Sequence, residues 1–107
     1  MINFEDWSKV ELRVARVLSA ERIEGSEKLL RLEASLGEEK RQIIAGIGKS
    51  YDPENIIGKQ IVIVANLEPR SLMGLESQGM IVAVTNDEGR PVLVIPEKEV
   101  GEGSILS

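Results

Sequence analysis

The apolar side chains of this chain are nearly all aliphatic, and many of them branch at Cβ. The 107 residues include 12 Ile, 10 Val and 11 Leu, but Phe4, Trp7 and Tyr51 are the only aromatic residues. β-Branched side chains lose rotamer freedom in a helix and pack well on a pleated surface, so this set favours sheet. Apolar residues make up 42% of the chain, which is enough for a core. We therefore predict an all-β fold forming a single domain over residues 1–107.

Alternation of apolar and polar residues predicts three strands in the first half of the chain. The apolar positions between Val10 and Ile23 change parity at Val17, which predicts a long first strand with a β-bulge near Ala15–Arg16. Residues 30–36 alternate without interruption and predict a second strand with one solvated face. A third strand is expected over 41–46, after a short connection.

The second half of the chain combines one short helix with further strands. Asp52, Pro53 and Gly58 are helix start and stop signals that lie only one or two turns apart. Strands are expected at 60–66 and 80–85, both buried, and at 91–95, while 4–9 is expected to form a helical turn covering one barrel end. Taken together, these elements predict a five-stranded Greek-key barrel of the OB type, with a short helix after strand 3 and short terminal extensions. An SH3-like barrel or a small sandwich also fits the pattern.

The residue types that the chain lacks exclude several chemistries. There is no Cys and no His, so thiol redox chemistry, His-based catalysis and the commonest zinc sites are excluded. No apolar run exceeds five residues, and acidic residues near the start do not fit a signal peptide. We expect a cytoplasmic protein without membrane contact, metal or cofactor, and without catalytic activity.

The segment Gly46–Ser50 ends like a phosphate-binding P-loop. That motif requires a glycine where Ile43 stands, and Pro53 comes too early for the long helix that would hold the phosphate. The segment is therefore interpreted as a strand end that turns into a loop, where Lys49 can still reach an anion.

The segment Asn66–Met80 is longer than a hairpin needs, and it joins two predicted core strands. It contains two glycines and spaces uncharged donors around Arg70. Long loops on rigid barrels often carry binding function. Two interpretations remain open at this point: a binding loop, or a turn in which Leu72 and Leu75 fill the barrel end.

The pattern Asn66-Leu-x-Pro-Arg70, followed by Gly74-x-x-Ser77-x-Gly79-Met80, resembles a known signature. It is similar to the tRNA-binding domain that occurs as the C-terminal module or separate β-subunit of methionyl-tRNA synthetase, in free-standing tRNA-binding proteins and in bacterial phenylalanyl-tRNA synthetase. The resemblance covers residues 4–106. The chain departs from it at 23–27, where family members often carry a His-Pro pair, and at Ala15, where a Gly is common.

The resemblance implies a non-catalytic protein that recognises tRNA by shape and assists a methionyl-tRNA synthetase catalytic chain. It also implies a homodimer formed through the terminal segments. A branch of the same family acts as a dimeric secretion chaperone, and this is the alternative function. Aromatic scarcity supports recognition of phosphates and 2′-hydroxyls rather than base stacking.

Eight residues are predicted to contact RNA. Basic side chains would contact phosphate, uncharged donors would contact phosphate or ribose, and one Met would give an apolar contact: Lys28, Arg41, Lys49 and Arg70; Asn66, Ser77 and Gln78; Met80. Core packing is an alternative for the Met, and a solvated face for Lys28 and Arg41. Because the net charge is -5, we expect a basic face, with the acidic stretch from Asn86 onward facing elsewhere.

Overall fold

The structure, a computed structural model, describes all 107 residues and consists mainly of strands. The elements are α1 Phe4–Trp7, β1 Leu12–Arg22, β2 Leu30–Ser35, β3 Lys40–Ala45, a 3₁₀ helix Pro53–Asn55, β4 Gln60–Val64, β5 Arg70–Leu72, β6 Leu75–Ser77, β7 Met80–Ile81, β8 Ala83–Thr85 and β9 Pro91–Leu93. Neither helical element is long and apolar enough to cross a membrane. The predicted all-β class is confirmed.

Five strands form one antiparallel sheet in the order β3-β2-β1-β4-β7. β1 is central because β2 and β4 pair with opposite edges of it, and β4 returns to β1 after the meander of β1, β2 and β3. This return is the Greek-key connection. The sheet curls until β3 approaches β6 and β7, so the barrel is nearly closed. The predicted five-stranded OB-type barrel is confirmed.

The core consists of inward-facing residues from alternate positions of the strands. Its 13 buried members are Ala15, Val17, Leu30, Leu32, Ala34, Leu36, Ile43, Ala45, Ile47, Ile56, Ile61, Ile63 and Ala65. The alternation predicted for 30–36 is confirmed, because each of its apolar positions is buried.

The β-bulge in β1 exists, but its predicted position was wrong. The β1–β2 register shifts between Val17 and Ser19, so Leu18 is the extra residue. The parity change in the sequence has another cause. Ala15 and Val17 face the core, whereas Val14 is buried outside the core cluster. The Val14 backbone pairs with the C-terminal segment, so β1 has buried apolar residues on both of its faces. The sequence pattern did not distinguish these two faces.

The expectation of a continuous buried strand at 80–85 was also wrong. The run divides at Val82 into β7, which pairs with β4, and β8, which pairs with β9 in a separate two-stranded sheet. Met80 is 46% exposed and Val84 is 57% exposed. The chain leaves the barrel wall here, because the Val82 N–H donates to Val62 while the Val82 carbonyl accepts from Val94.

The two predicted helical segments are both shorter than the sequence signals indicated. The segment at 52–58 forms a single 3₁₀ turn, and Gly58 with φ of 87° follows it. The N-terminal turn is present as α1, capped by the Asn3 side chain, but none of its residues is buried. Phe4 is 79% exposed, so the expectation that this turn covers a barrel end was wrong.

The C-terminal segment, residues 99–106, is fastened to the barrel by side chains and by backbone pairing. The Gln60 amide both donates to the Val100 carbonyl (2.6 Å) and accepts from the Val100 N–H (3.0 Å). Arg16 forms ion pairs with Glu99 and Glu102. The hydroxyl of Ser35 and then the guanidinium of Arg16 hold the pKa of Glu102 below its ordinary value of 4.5.

We expect attachment of this segment to weaken in acid. A carboxylate whose pKa is lowered by folding stabilises the native state above its unfolded pKa, and this contribution disappears as pH falls through the folded pKa. Glu102→Gln should therefore lower the melting temperature at neutral pH. It should have no such effect at a pH below both the folded-state and the unfolded-state pKa of Glu102, where the wild-type carboxyl is protonated. Thermal melts across that range check this, with Glu97→Gln, which removes an exposed carboxylate without an ion pair, as control. An equal loss at both ends of the pH range would contradict it.

Candidate nucleic-acid interface

The segment predicted as a long loop contains a β-hairpin made of β5 and β6. Its turn is Met73-Gly74, where φ is 50° and 79°, and two consecutive positive φ values are typical of a type I′ turn. The register places Arg70 opposite Ser77. Leu72 and Leu75 are half-buried and do not belong to the core cluster. The hairpin therefore stands on the barrel rim instead of filling the barrel end.

Ser77 closes the seam between β3 and the base of this hairpin. The side chain is only 4% exposed; its hydroxyl donates to the Gly79 carbonyl (3.0 Å) and accepts from the Ile44 N–H (3.0 Å). Beside it, the Gln42 N–H donates to Oε1 of Gln78 (2.9 Å) and the Gln78 N–H donates to the Gln42 carbonyl (2.7 Å). Side-chain bonds thus replace part of the strand ladder, and the Ser77 hydroxyl is used within the barrel.

Arg41 also holds the hairpin base. Its Nη1 donates to the carbonyls of Ala65 (2.8 Å) and Gln78 (3.0 Å), while Nε and Nη2 donate to the Glu39 carboxylate (3.2 and 3.0 Å). The hydrogen bonds from Arg41, and then its charge, lower the pKa of Glu39. The guanidinium therefore has partners on every nitrogen, and a phosphate would have to compete with Glu39 for it.

Asn66 lies at the junction of the barrel with the chain termini. Its Oδ1 accepts from the Glu11 N–H (2.9 Å) and its Nδ2 donates to the Lys9 carbonyl (2.6 Å). Asn66 also lines a hollow that it shares with apolar residues of both termini, namely Phe4, Trp7, Val10, Ile105 and Leu106. The Asn66 side chain therefore holds the N-terminal segment against the barrel.

A groove of about 520 Å³ runs over the outer face of β1, β2 and β3. It is lined by Ser19, Ala20, Glu21, Arg31, Leu32, Glu33, Lys40, Arg41, Gln42 and Gln78. Arg31 forms an ion pair with Glu21, whereas Lys40 has no carboxylate partner. The prediction omitted Arg31 of β2 and Lys40 and Gln42 of β3, although the polar positions of the alternating second strand could have indicated Arg31. On OB folds, this strand face is where oligonucleotides bind.

The remaining predicted residues lie apart from the groove or at its edge. The Arg70 side chain is exposed and forms no hydrogen bond or ion pair, and the Gln78 amide nitrogen donates to nothing in the protein. Lys28 and Lys49 share a different hollow with Arg90. The expectation that the stretch from Asn86 onward faces elsewhere was therefore wrong for Arg90, because the β8–β9 turn folds back beside Lys49. Core packing does not apply to Met80, since its side chain is exposed.

Ion pairing divides the basic residues into two groups. Of the 13, six form ion pairs: Lys9, Arg13, Arg16, Arg22, Arg31 and Arg41. The other seven have no carboxylate partner: Lys28, Lys40, Lys49, Lys59, Arg70, Arg90 and Lys98. Charges without internal partners are the ones available to an anionic ligand.

The barrel, its polar outer groove and its raised hairpin define a member of the OB-type barrels, whose strand faces and loops receive ligands. The sequence profile of one family, described as "Putative tRNA binding domain", matches residues 12–104. The chain belongs to that family.

Curated relatives are methionine–tRNA ligases. The protein from Caldanaerobacter subterraneus subsp. tengcongensis is 56% identical over 106 residues, which are 99% of this chain and 16% of the relative. The Thermotoga maritima protein is 50% identical over 106 residues, again 99% of this chain and 17% of the relative. The chain thus spans about a sixth of the length of these relatives.

The solved structures that match the whole chain include the following two. One is the MetRS related protein from Pyrococcus horikoshii, with a TM-score of 0.94 and 32% identity, covering 100% of this chain and 98% of that one. The other is the chaperone CsaA from Bacillus anthracis str. Ames, with a TM-score of 0.92 and 36% identity, covering 100% and 99%. The chain is therefore similar both to proteins named as methionine–tRNA ligases and to a protein named as a chaperone.

Proposed function

We propose that this chain binds tRNA without catalysing a reaction and raises the tRNA affinity of a methionyl-tRNA synthetase catalytic chain. The family match and the methionine–tRNA ligase relatives support tRNA as the ligand. The geometric observation that carries the proposal is the exposed, unpaired Arg70 on the raised hairpin, opposite Ser77 and next to the groove residue Gln78. Like its relatives in translation, the protein would work in the cytoplasm.

The proposed mode of recognition is contact with the sugar–phosphate backbone. Stacking on an aromatic side chain contributes about 1–3 kcal/mol per base to single-strand binding, but none of the three aromatic residues lines the groove. The groove instead offers Lys40 and the amide of Gln78, together with Arg31, which already shares its charge with Glu21. Such donors recognise phosphates and 2′-hydroxyls of folded RNA with little preference for sequence.

The eight predicted residues receive different roles in this proposal. Arg70, Lys28 and Lys49 contact phosphates, the Gln78 amide donates to a phosphate or ribose oxygen, and Met80 gives an apolar contact. The other three combine contact at the rim with support of the hairpin and the N-terminal segment, since their polar atoms already have partners in the protein: Arg41, Asn66 and Ser77.

Arg70→Ala should weaken tRNA binding and flatten the dependence of log K on log salt by about one unit, because one phosphate contact is lost. Binding titrations at several salt concentrations measure both quantities. Lys98→Ala is the matched control, since Lys98 is exposed and unpaired but lies outside the groove and the hairpin. An Arg70→Ala slope equal to that of the control would remove Arg70 from the site.

We further propose that the protein is a homodimer joined through its terminal segments. Apolar side chains of both termini are exposed and line one hollow of about 400 Å³, although burial would stabilise them. Light scattering should give about twice the chain mass of 11.8 kDa. Trp7→Glu together with Leu106→Glu should shift the mass toward the monomer. A wild-type mass of 11.8 kDa would contradict the dimer.

The second candidate function is binding of unfolded polypeptides, as the name of the CsaA relative indicates for that protein. Exposed Met73 in the hairpin turn and exposed Met80 in β7 could contact apolar segments adaptably. A competition assay separates the candidates. If tRNA alone binds, or displaces an unfolded polypeptide, tRNA is the primary ligand; a polypeptide that binds where tRNA does not would favour the chaperone role.

A further inference from the structure

A second basic hollow lies on the side of the barrel where the turn between β8 and β9 meets the chain after β3. It has a volume of about 360 Å³ and no apolar lining residue. Its lining is Lys28, Gly46, Lys49, Ser50, Glu88, Gly89, Arg90 and Pro91. Three cations and one carboxylate therefore share one small space, in a protein whose net charge is -5. This concentration of positive charge is not a consequence of composition.

None of the three cations is neutralised within the protein. Lys28, Lys49 and Arg90 belong to the seven basic residues without an ion pair, and even Glu88 pairs with none of them. Unpaired like charges held close together repel one another. An anion that enters the hollow relieves this repulsion, so the site has a reason to bind one.

The backbone holds two of these side chains in place. Arg90 Nη1 donates to the Lys49 carbonyl (3.3 Å), which joins the β8–β9 turn to the loop after β3. The Lys28 side chain lies against Gly46, where an added Cβ would come within 3.0 Å of the Lys28 Cε. In the same loop, the Gly48 N–H donates to the Lys28 carbonyl (2.7 Å). Glycine at position 46 thus allows the lysine stem to cross the loop.

Ser50 supplies an independent observation. Its hydroxyl is the one buried side-chain polar atom of the protein without a hydrogen-bond partner, and Ser50 lines this hollow. A buried polar group left without a partner costs about 1–3 kcal/mol, so native proteins rarely keep one unless a ligand or water satisfies it. A donor beside three cations is suited to an oxyanion.

We propose that this hollow is a phosphate-binding site formed by Lys28, Lys49, Arg90 and the Ser50 hydroxyl. On RNA it would take a backbone phosphodiester, at a place separate from the groove over β1, β2 and β3. The RNA part of the inference rests on the proposed function, whereas binding of a phosphate group does not. Three cations around one phosphate fit its charge and its several acceptor oxygens.

The first arm of the test uses inorganic phosphate at constant ionic strength, with chloride as the balancing anion. Amide resonances of Gly46, Ser50 and Gly89 should shift and saturate in the wild-type protein. The shifts should disappear in the double variant Lys49→Gln with Arg90→Gln. They should persist in Lys59→Gln with Lys98→Gln, which removes the same charge from exposed, unpaired lysines of another hollow.

The second arm measures tRNA affinity against salt for the same proteins. The Lys49 and Arg90 double variant should bind about tenfold more weakly than the control variant, with a log K against log salt slope about two units flatter. Ser50→Ala should weaken phosphate binding without lowering the melting temperature, because the hydroxyl makes no bond within the protein. If Ser50 had only a structural role, Ser50→Ala would instead lower the melting temperature and leave phosphate binding unchanged.

The outcomes separate the two proposals. No localised shift with phosphate, together with equal tRNA slopes for both double variants, overturns the site. Localised shifts with equal tRNA slopes overturn its RNA role and leave a site for a free phosphate group. If the wild-type protein does not bind tRNA, the proposed function fails, and the phosphate titration alone decides whether the hollow binds an anion.

Discussion

Replacing Gly103 with Ala should destabilise the protein by about 3 kcal/mol, from strain in a left-handed conformation and from steric overlap. Gly103 has φ of 86°, and a Cβ there would lie 2.2 Å from the Leu36 carbonyl oxygen. The residue cannot move away freely, because its N–H donates to the Val14 carbonyl (2.7 Å). The C-terminal segment should therefore leave the barrel, and urea unfolding measures the loss.

Gly58→Ala is the matched control for this prediction. Gly58 has φ of 87°, nearly the same conformation, but a Cβ there would meet nothing within 4 Å. It should cost about 1–2 kcal/mol, the conformational part alone. The difference between the two variants isolates the contact with Leu36. Equal losses would show that the C-terminal segment adjusts its path at no cost.

Ser77→Ala should have the second largest effect, a loss of about 2 kcal/mol. The Ile44 N–H would lose its acceptor in a buried place, and the Gly79 carbonyl would lose its donor. Both groups lie at the seam of the barrel, where no regular ladder replaces the lost bonds. Urea unfolding measures the effect. Ser71→Ala, on the same hairpin but exposed and without a side-chain hydrogen bond, should change stability by less than about 0.5 kcal/mol.

The Ser77 variant also tests how this residue serves tRNA binding. If Ser77 acts by positioning the hairpin, folded Ser77→Ala protein should bind tRNA with an unchanged salt slope and an affinity within about threefold of wild type. A direct hydrogen bond to phosphate would instead lower affinity without lowering stability. Measuring both quantities at a temperature where the variant is folded distinguishes the two roles.

The sequence was sufficient for the fold because its strongest patterns report burial. The alternation over 30–36 and the aliphatic composition both indicate a curved sheet with one core face, and the structure has it. The pattern failed where two apolar faces coexist. Val14 and Val17 are both buried, but on different faces of β1. The change of parity between them therefore indicated a bulge at Ala15–Arg16, whereas the actual bulge is at Leu18.

The candidate site was predictable by residue type but not by orientation. Asn66 and Ser77 belong to the long connecting segment and Arg41 to the third predicted strand, and their polar side chains indicate hydrogen bonding in general. Each of them also has a backbone partner 24 to 57 residues away in the chain, and no local pattern encodes such a contact. Arg90 was missed for the same reason, since only tertiary folding brings it to Lys49.

The pairing of the C-terminal segment with β1 also covers one backbone edge of that strand. Ile105 bridges to Arg13, and Leu106 donates to the Leu12 carbonyl, so the first half of β1 has a neighbour on each side. Removal of that cover would expose a free strand edge in a chain rich in Ile and Val. Such an edge is a template for cross-β growth. Residues 103–106 therefore keep this edge of β1 from being open to pairing with another chain.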